Sequence, residues 1–152
     1  MRNFNVRVYG ILIHENNVLV SDEHIKGMNI TKFPGGGLEF GEGTIECVIR
    51  EFKEELDLDI EVISHFYTTD FFVNSAFSVN NQVISIYYLV KAKEEFDPKK
   101  TTFKISKQPF DFEKKKEGAQ SFRWVTLEKI SENDFTFIID KRVGEMLYNN
   151  LK

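Results

Sequence analysis

The chain has 152 residues, of which 41% are hydrophobic and 29% are charged, and it carries a formal net charge of -4 at pH 7. This length and apolar content predict a single globular domain over residues 1–152 with a sizeable core, and they exclude an intrinsically disordered chain. The negative charge argues against general coating of nucleic acid, although it leaves room for a local basic site.

The chain contains a single cysteine, Cys47, which excludes an internal disulfide framework and is typical of a reducing cytoplasm. No apolar run approaches the roughly 18 residues that a membrane span needs, and the first ten residues lack the hydrophobic region of a signal peptide. We therefore expect a cytoplasmic protein that has no membrane partner.

The first predicted elements form a β-hairpin. The run Phe4–His14 is rich in β-branched and aromatic residues, Glu15–Asn17 supplies turn chemistry, and Val18–Val20 begins a second strand. The next residues, Asp22–Thr31, are polar and contain a glycine. We predict that they form a loop leading to Lys32-Phe33-Pro34.

Three consecutive glycines, Gly35–Gly37, precede a predicted helix from about Thr44 to Leu56. Glycine permits positive φ and lets the backbone approach a ligand closely. Within the helix the apolar residues recur with helical spacing and form one stripe, which consists of Ile45, Val48, Ile49, Phe52 and Leu56. A neighbouring stripe is acidic and consists of Glu51, Glu54 and Glu55.

Further strands and a second helix follow. Two long strands are predicted at Ile60–Val73 and Gln82–Ala92, separated by the turn-rich Asn74–Asn81. Ser121–Thr126 is predicted as a short final strand, and Asp140–Leu151 as a closing amphipathic helix. Strands on both sides of one helix, followed by another helix, predict a mixed sheet between helices.

A lysine-rich segment lies between the last two predicted strands. It runs from Lys99 to Lys116, and its seven lysines are at positions 99, 100, 104, 107, 114, 115 and 116. A solvated surface insertion is the simpler interpretation. The functional alternative is a contact with substrate phosphates or with an RNA 5′ end.

The acidic stripe of the first helix has two interpretations. Like charges three and four residues apart destabilise a helix by a few tenths of a kcal/mol per pair, which calls for a compensating cation. Hard divalent ions such as Mg²⁺ and Mn²⁺ prefer carboxylate and carbonyl oxygen. On charge pattern alone, however, a solvated acidic face is the simpler interpretation.

The spacing around this helix favours the metal. Gly36 is followed after five residues by Glu42, and after seven more by Arg50-Glu51-Phe52-Lys53-Glu54-Glu55-Leu56-Asp57-Leu58. The pattern resembles the Nudix box, G-x5-E-x7-R-E-U-x-E-E-x-G-U, where U is an apolar residue. The one departure is Asp57, where the family has a glycine suited to the left-handed conformation at a helix end.

The resemblance to the Nudix (MutT-like) hydrolase family implies an α/β fold, a Nudix α/β/α sandwich with a mixed β-sheet between helices. It also implies hydrolysis of a phosphoanhydride bond in a nucleoside diphosphate linked to a group X, with Mg²⁺ (or Mn²⁺) as cofactor. By the family pattern, the metal ligands are Glu51, Glu54, Glu55 and the carbonyl of Gly36. Glu51 is also a candidate base, and Glu42 and Arg50 form an ion pair between the glycine loop and the helix.

Nudix enzymes often add a carboxylate from a loop near the last strand. Glu117, seven residues before Trp124, is the predicted residue, and Glu113 is the second choice. Both could instead be solvated loop residues. Because Gly118 follows Glu117, the loop could swing over the site.

The remaining candidates have mostly structural interpretations. Cys47 is expected to pack, since the family commonly has a small residue there. Any of five aromatic residues could stack on a base, although core packing is the safer assumption for each: Phe71, Phe72, Phe77, Tyr87 and Tyr88.

The substrate is less well defined than the reaction. Val73 occupies the position where ADP-ribose-type members often carry proline, so that subtype gains no support. We expect a pyrophosphohydrolase of nucleoside triphosphates or nucleotide derivatives, acting as a monomer or homodimer on a small molecule. The alternatives are a non-catalytic Nudix-like nucleotide sensor and an RNA 5′-pyrophosphohydrolase that uses the lysine-rich segment.

Overall fold

The computed structural model describes residues 1–101 and 105–150. Lys104 of the lysine-rich segment and Leu151 of the predicted last helix lie outside the described residues. Within them the α-helices and strands are, in chain order, β1 (Asn3–His14), β2 (Asn17–Ile25), β3 (Met28–Lys32), β4 (Gly35–Gly37), α1 (Thr44–Leu56), β5 (Ile60–Thr68), β6 (Asn81–Ala92), β7 (Ala119–Thr126) and α2 (Ile138–Asn150).

The strands form one mixed seven-stranded sheet in the order β3-β2-β1-β6-β5, with β4 paired to β1 and β7 paired to β2. The central strands β1 and β6 are parallel over ten residue pairs, whereas the other strand pairs in the sheet are antiparallel. This sheet and its two flanking helices confirm the predicted Nudix α/β sandwich.

Alternate residues of β1 separate two hydrophobic cores. Val8 and Leu12 pack with Val48 and Phe52 of α1. On the opposite face of the strand, Tyr9 and Ile11 pack in the cluster that holds residues of α2. The sheet therefore has one helix on each face, and β1 contributes to both cores.

The predicted loop at Asp22–Thr31 is wrong, because β2 continues to Ile25 and pairs with β3 as a second hairpin. Its tight turn is Lys26-Gly27, with φ of 49° and 78°. Polar residues obscured these strands, since Asp22 and Thr31 are buried and joined by a 2.6 Å hydrogen bond from Thr31 Oγ1 to Asp22 Oδ1. Because these polar side chains hydrogen-bond to each other, they can be buried in strands, although their residue types are typical of loops.

The helix α1 has the predicted bounds, and its C-terminal end has the usual conformation although the family glycine is absent. Asp57 adopts the left-handed conformation, φ 49° and ψ 38°, that the family glycine would supply. Lys53 Nζ lies 3.1 Å from its carboxylate. The predicted apolar stripe needs one correction, because Ile45 is 47% exposed while Cys47 is fully buried.

Other boundaries shift by a few residues. The strand predicted at Ile60–Val73 ends at Thr68, and only an isolated bridge between Asn74 and Gln82 follows.

In the described ranges, no helix is long and apolar enough to cross a membrane.

Candidate active site

The strand β4 brings the glycine backbone against the first acidic residue of the helix. A Cβ added at Gly36 would lie 2.5 to 2.7 Å from three atoms of the Glu51 carboxylate group. A side chain at Gly36 would have to displace this carboxylate, so glycine lets the strand and the carboxylate stay in contact. Gly36 and Glu51, both predicted as metal ligands, are therefore adjacent.

Arg50 joins α1 to the loop that follows β4. Its Nε donates to Glu42 Oε2 at 2.9 Å, and its Nη2 donates to Glu42 Oε1 at 2.8 Å. The same Nη2 donates to the Gly37 carbonyl at 3.2 Å. These hydrogen bonds from Arg50, helped by the Glu39 backbone amide, lower the pKa of Glu42 to about 2. The structure thus contains the expected Glu42–Arg50 pair in bidentate form.

The same guanidinium also contacts two of the three glutamates on the acidic stripe. Arg50 Nη1 donates to Glu51 Oε1 and to Glu54 Oε2, both at 3.1 Å. The Glu51 side chain is 13% exposed and that of Glu54 is 59% exposed. Arg50 therefore offsets the repulsion along this stripe and fixes the orientation of the enclosed Glu51 carboxylate.

Glu55, the third member of the stripe, has an enclosed oxygen with no partner. Its Oε2 is buried and accepts no hydrogen bond from the described residues. Burial raises the pKa of Glu55 to about 7; Lys32 opposes this rise, while Glu23 and Glu51 add to it. A buried carboxylate oxygen without a partner is costly, and a bound cation would satisfy it.

The residues at this site fit a hard divalent cation by their donor chemistry. The Glu51 carboxylate lies against the Gly36 backbone, and the Glu55 oxygen lacks a hydrogen-bond partner among the described residues. They do not form a finished metal site, since no group of three or more acidic, His or Cys side chains in residues 1–101 and 105–150 is arranged to hold an ion. Glu51 and Glu54 are bonded to Arg50 instead.

A cluster of charged and aromatic side chains that was not predicted from the sequence lies next to the box. Lys32 Nζ donates to the Gly35 carbonyl at 3.1 Å and lies 3.0 Å from Glu23 Oε2, while its side chain is only 7% exposed. It also lies 5.4 Å from the centre of the Tyr9 ring. Burial lowers the pKa of Lys32, but interactions with Tyr9, Glu23 and Glu55 outweigh burial and leave it raised.

Arg7 extends this cluster along β1. Its Nε donates to the Tyr9 hydroxyl at 2.8 Å, and it lies opposite Gly37 in the pairing of β1 with β4. The signal for Arg7 and Tyr9 was their period-two spacing, which places them on one face of a strand. For Lys32 and Glu23 no such signal existed, because both lie in the stretch that was predicted to be irregular or its edge.

A cavity of about 350 Å³ opens beside this cluster, between the sheet and the start of α2. Its walls are mainly apolar and include Ile25, Ile30, Val73, Phe77, Val83, Phe137 and Ile139. Arg7, Tyr9 and Lys32 line it as well, and Asp140 of α2 contributes an acidic group. A mostly apolar cavity with a few convergent polar groups is the usual form of a small-molecule site.

The structure does not group Glu117 with the box residues. Both carboxylate oxygens of Glu117 accept from the backbone amide of Lys26, at 3.0 and 2.8 Å, so it caps the turn between β2 and β3. The second choice, Glu113, is exposed. The role of Glu117 at the active site therefore stays a prediction.

The five candidate aromatic residues separate by position. Phe77 lines the cavity from the loop before β6, with its ring 5.9 Å from that of Phe137. Tyr87 is fully buried and also borders the cavity. Phe72 is 71% exposed, Phe71 stacks under Arg142, and Tyr88 bonds to Thr44. Phe77 is thus the exposed member that lines the cavity, and Lys26 Nζ lies over its ring at 5.1 Å from the ring centre.

Cys47 packs as predicted. It is fully buried, and its Sγ donates to the Gly37 carbonyl at 3.6 Å. Burial, followed by Glu42, raises the pKa of Cys47 to about 12. A thiol with that pKa stays neutral and is a poor nucleophile.

Known proteins share the family and the fold of this chain. The chain matches the model of the NUDIX domain family over residues 3–143. It is similar in structure to a NUDIX hydrolase from Nitrosomonas europaea, at 18% identity and a TM-score of 0.68, over 97% of this chain and 90% of that chain. It is also similar to the MutT protein from Methanosarcina mazei Go1, at 18% identity and a TM-score of 0.68, over 99% and 97%.

A third similar structure is an ADP-ribose pyrophosphatase from Streptococcus suis, at 17% identity and a TM-score of 0.57, over 94% of this chain and 86% of that chain. At such identities these structures show the fold, whereas the family match covers most of the chain. The protein belongs to the NUDIX domain family. The predicted family and enzyme class, a Nudix hydrolase acting on acid anhydrides, are confirmed.

Proposed function

We propose that this protein is a Mg²⁺-dependent pyrophosphohydrolase, acting as a single Nudix domain. Its substrate would be a nucleoside diphosphate linked to a group X, either a nucleoside triphosphate or a nucleotide derivative. The observation that carries the proposal is the contact of the Glu51 carboxylate with Gly36 beside the enclosed, partnerless oxygen of Glu55. Such an arrangement of oxygen donors is costly without a cation and useful with one.

The metal ligands in this proposal are Glu51, Glu54, Glu55 and the carbonyl of Gly36. When bound, Mg²⁺ (or Mn²⁺) neutralises the charge of the diphosphate and lowers the pKa of attacking water. Glu51 is the proposed base. Its carboxylate accepts a proton as the water oxygen bonds to phosphorus and the bridging P–O bond breaks.

The chain's own contacts prepare Glu51 for this task. Arg50 Nη1 holds Glu51 Oε1 at 3.1 Å and leaves the other oxygen, Oε2, for the reaction. Arg50 is in turn fixed by its two hydrogen bonds to Glu42. This rigid support removes the cost of orienting the base at the moment of reaction. Glu42 and Arg50 therefore act through Glu51.

The proposal also covers the substrate, the loop carboxylate and the location of the protein. The name of one similar structure, an ADP-ribose pyrophosphatase, fits a nucleotide derivative as substrate. We keep Glu117 as the proposed loop carboxylate, which requires that it leave the Lys26 amide when substrate binds. The cytoplasmic location rests on composition and stays a prediction.

The test is release of phosphate or pyrophosphate from a panel of nucleoside triphosphates, nucleotide sugars, ADP-ribose, diadenosine polyphosphates and 5′-triphosphorylated RNA. Each reaction contains Mg²⁺ or Mn²⁺. The blank is Glu55→Gln, which removes the charge from the enclosed oxygen. The matched control is Glu61→Gln, because Glu61 is an exposed glutamate of β5 paired with Lys91.

The expected result is turnover of a small nucleotide that vanishes in Glu55→Gln and persists in Glu61→Gln. Equal turnover in all three proteins would mean that the activity does not come from this site. Absent turnover with retained nucleotide binding would replace the proposal by the sensor function. Preference for RNA, lost in high salt, would instead assign the lysine-rich segment to substrate binding.

A further inference from the structure

A row of four connected side chains leads from β7 through β2 and β3 to the glycine strand β4. Gln120 Nε2 of β7 donates to Ser21 Oγ of β2 at 2.9 Å. Ser21 Oγ donates to Glu23 Oε2 at 3.2 Å, and the same carboxylate oxygen lies 3.0 Å from Lys32 Nζ of β3. Lys32 Nζ in turn donates to the carbonyl of Gly35 in β4 at 3.1 Å. We call Gln120, Ser21, Glu23 and Lys32 the polar relay.

The polar relay is largely enclosed by the protein. Ser21 is fully buried, and the side chains of Lys32 and Glu23 are only 7% and 14% exposed. A buried ammonium group needs partners, because it has lost its hydration. The stem of a lysine has four carbons and many rotamers. The Glu23 carboxylate and the Gly35 carbonyl therefore determine where the Lys32 ammonium lies.

The carbonyl that Lys32 holds belongs to the peptide unit between Gly35 and Gly36. Because a peptide unit is planar, a hydrogen bond to its oxygen also restrains the nitrogen of Gly36. Gly35 has a φ of 147°, a conformation that glycine adopts freely but does not hold by itself. Gly36 lies against the Glu51 carboxylate. Lys32 thus restrains the backbone at the point where it meets the proposed metal ligands.

The two outer members of the relay orient its charged members. In the pairing of β2 with β7, Gln120 lies opposite Glu23. Because the Gln120 amide donates to Ser21 Oγ, the hydroxyl proton of Ser21 is left to point at Glu23. The neighbouring residue of β7, Ser121, is also buried, but its hydroxyl has no partner among the described residues. Of these two buried serines, only Ser21 is connected to the glycine strand.

We propose that Ser21 and Glu23 are positioning residues that act through Lys32 on the glycine strand, and that they increase the affinity of the proposed site for a divalent cation. The inference rests on the proposed function, since it takes the Gly36 carbonyl and the carboxylates of α1 as metal ligands. Mg²⁺ demands near-ideal ligand geometry. Groups that orient metal ligands without touching the ion typically change metal affinity by about 10- to 100-fold.

The experiment measures the binding of Mn²⁺ alone, by electron paramagnetic resonance of the free ion, without nucleotide. Ser21→Ala removes the relay hydroxyl and changes no charge. We expect its dissociation constant for Mn²⁺ to rise about tenfold, the lower end of the range for such groups. The matched control is Ser121→Ala, which should bind Mn²⁺ like the wild-type protein. Wild-type affinity in Ser21→Ala, or an equal loss in both variants, would overturn the inference.

Lys32→Met separates position from charge. Removal of a cation close to carboxylates should strengthen Mn²⁺ binding if only electrostatics matters. Loss of the restraint on the glycine strand should weaken it instead, and this is the expected result. Circular dichroism checks that the variant is folded at the assay temperature. Tighter binding of Mn²⁺ by folded Lys32→Met would overturn the inference, and Ser21→Ala provides the test if Lys32→Met does not fold.

Glu55→Gln, measured in the same way, tests the proposed metal site itself. Mn²⁺ binding that is lost in Glu55→Gln but unchanged in Ser21→Ala would refute only this inference. Absence of Mn²⁺ binding by the wild-type protein would refute the proposed metal-dependent reaction. Hydrogen exchange of the Gly36 amide, measured by NMR in the metal-free protein, then decides the positioning role. Faster exchange in Ser21→Ala than in Ser121→Ala would support that role, and equal exchange would overturn it.

Discussion

The box and the cavity are built in different ways. The box draws its functional residues from Gly36 to Glu55, close together in the chain, and a single helix repeat aligns them. The cavity draws Arg7, Lys32, Phe77 and Asp140 from two strands, a loop and a second helix. The residues of the box are thus close together in the sequence, while the residues of the cavity meet only through contacts between distant segments.

Glu42 of the box and Asp140 of the cavity differ in the direction of their pKa shifts. Hydrogen bonds from Arg50 lower the pKa of Glu42 to about 2, whereas burial raises the pKa of Asp140 to about 6 despite its bond from Tyr87. Glu42 therefore stabilises the fold when ionised. Asp140, by contrast, costs stability when ionised.

The largest expected effect lies in the box. Glu54→Gln should lower kcat/KM by about 100-fold or more, equivalent to about 3 kcal/mol of transition-state stabilisation, because a proposed metal ligand loses its charge. Thermal unfolding should change little, since this side chain is 59% exposed. Steady-state kinetics with varied Mg²⁺ check this, and turnover at the wild-type rate would remove Glu54 from the metal site.

Lys32, which lies between the box and the cavity, is expected to contribute to the free energy of unfolding. Lys32→Met leaves Glu23 nearly enclosed without its cation, which should lower the free energy of unfolding by about 3 kcal/mol. Urea unfolding measures this change. The double variant Lys32→Met/Glu23→Gln should recover part of the loss, and an unchanged midpoint in the single variant would mean that the ion pair contributes nothing.

The buried Asp140, which lines the cavity, should make the free energy of unfolding depend on pH. The folded pKa of Asp140 lies above its model-compound value of 3.8, at about 6, so the folded state binds a proton more tightly than the unfolded state. The contribution of Asp140 is therefore most favourable below 3.8 and is lost as pH rises through about 6. Between pH 4 and pH 7.5, the free energy of unfolding of Asp140→Asn should therefore rise by about 2 to 3 kcal/mol relative to that of the wild-type protein.

Urea titrations of both proteins across this range provide the measurement. Glu55, whose pKa is raised to about 7, adds a dependence of the same sign that the comparison cancels, because both proteins retain it. Parallel pH profiles would show that Asp140 is not perturbed in the folded protein.

The smallest effect on stability is expected at Glu117, which lies outside the box and the cavity. Glu117→Gln keeps an oxygen that can accept from the Lys26 amide, and the group is exposed. Unfolding should change by less than about 1 kcal/mol. The rate at saturating Mg²⁺ is the decisive readout. A rate equal to wild type would end the proposal that Glu117 enters the active site, whereas a large loss would show that the loop moves.

Much of the box could be predicted without coordinates. The helix from Thr44 to Leu56 has the predicted bounds because apolar spacing and glycine placement act over a few residues. The Glu42–Arg50 pair followed from the family spacing. Cys47 replaced Ile45 in the buried stripe, because which edge of a stripe is covered depends on the packing partner and not on periodicity.

The sequence alone determined the family, the reaction class and the proposed metal ligands, because these depend on residue types at short, regular spacings. Only the tertiary structure revealed that the polar Asp22–Thr31 stretch forms strands and that Lys32 and Glu23 pair inside the site. It also joined Asp140 to Tyr87, 53 positions apart. Burial and partners decide the state of such groups, and neither is visible until distant strands and helices pack.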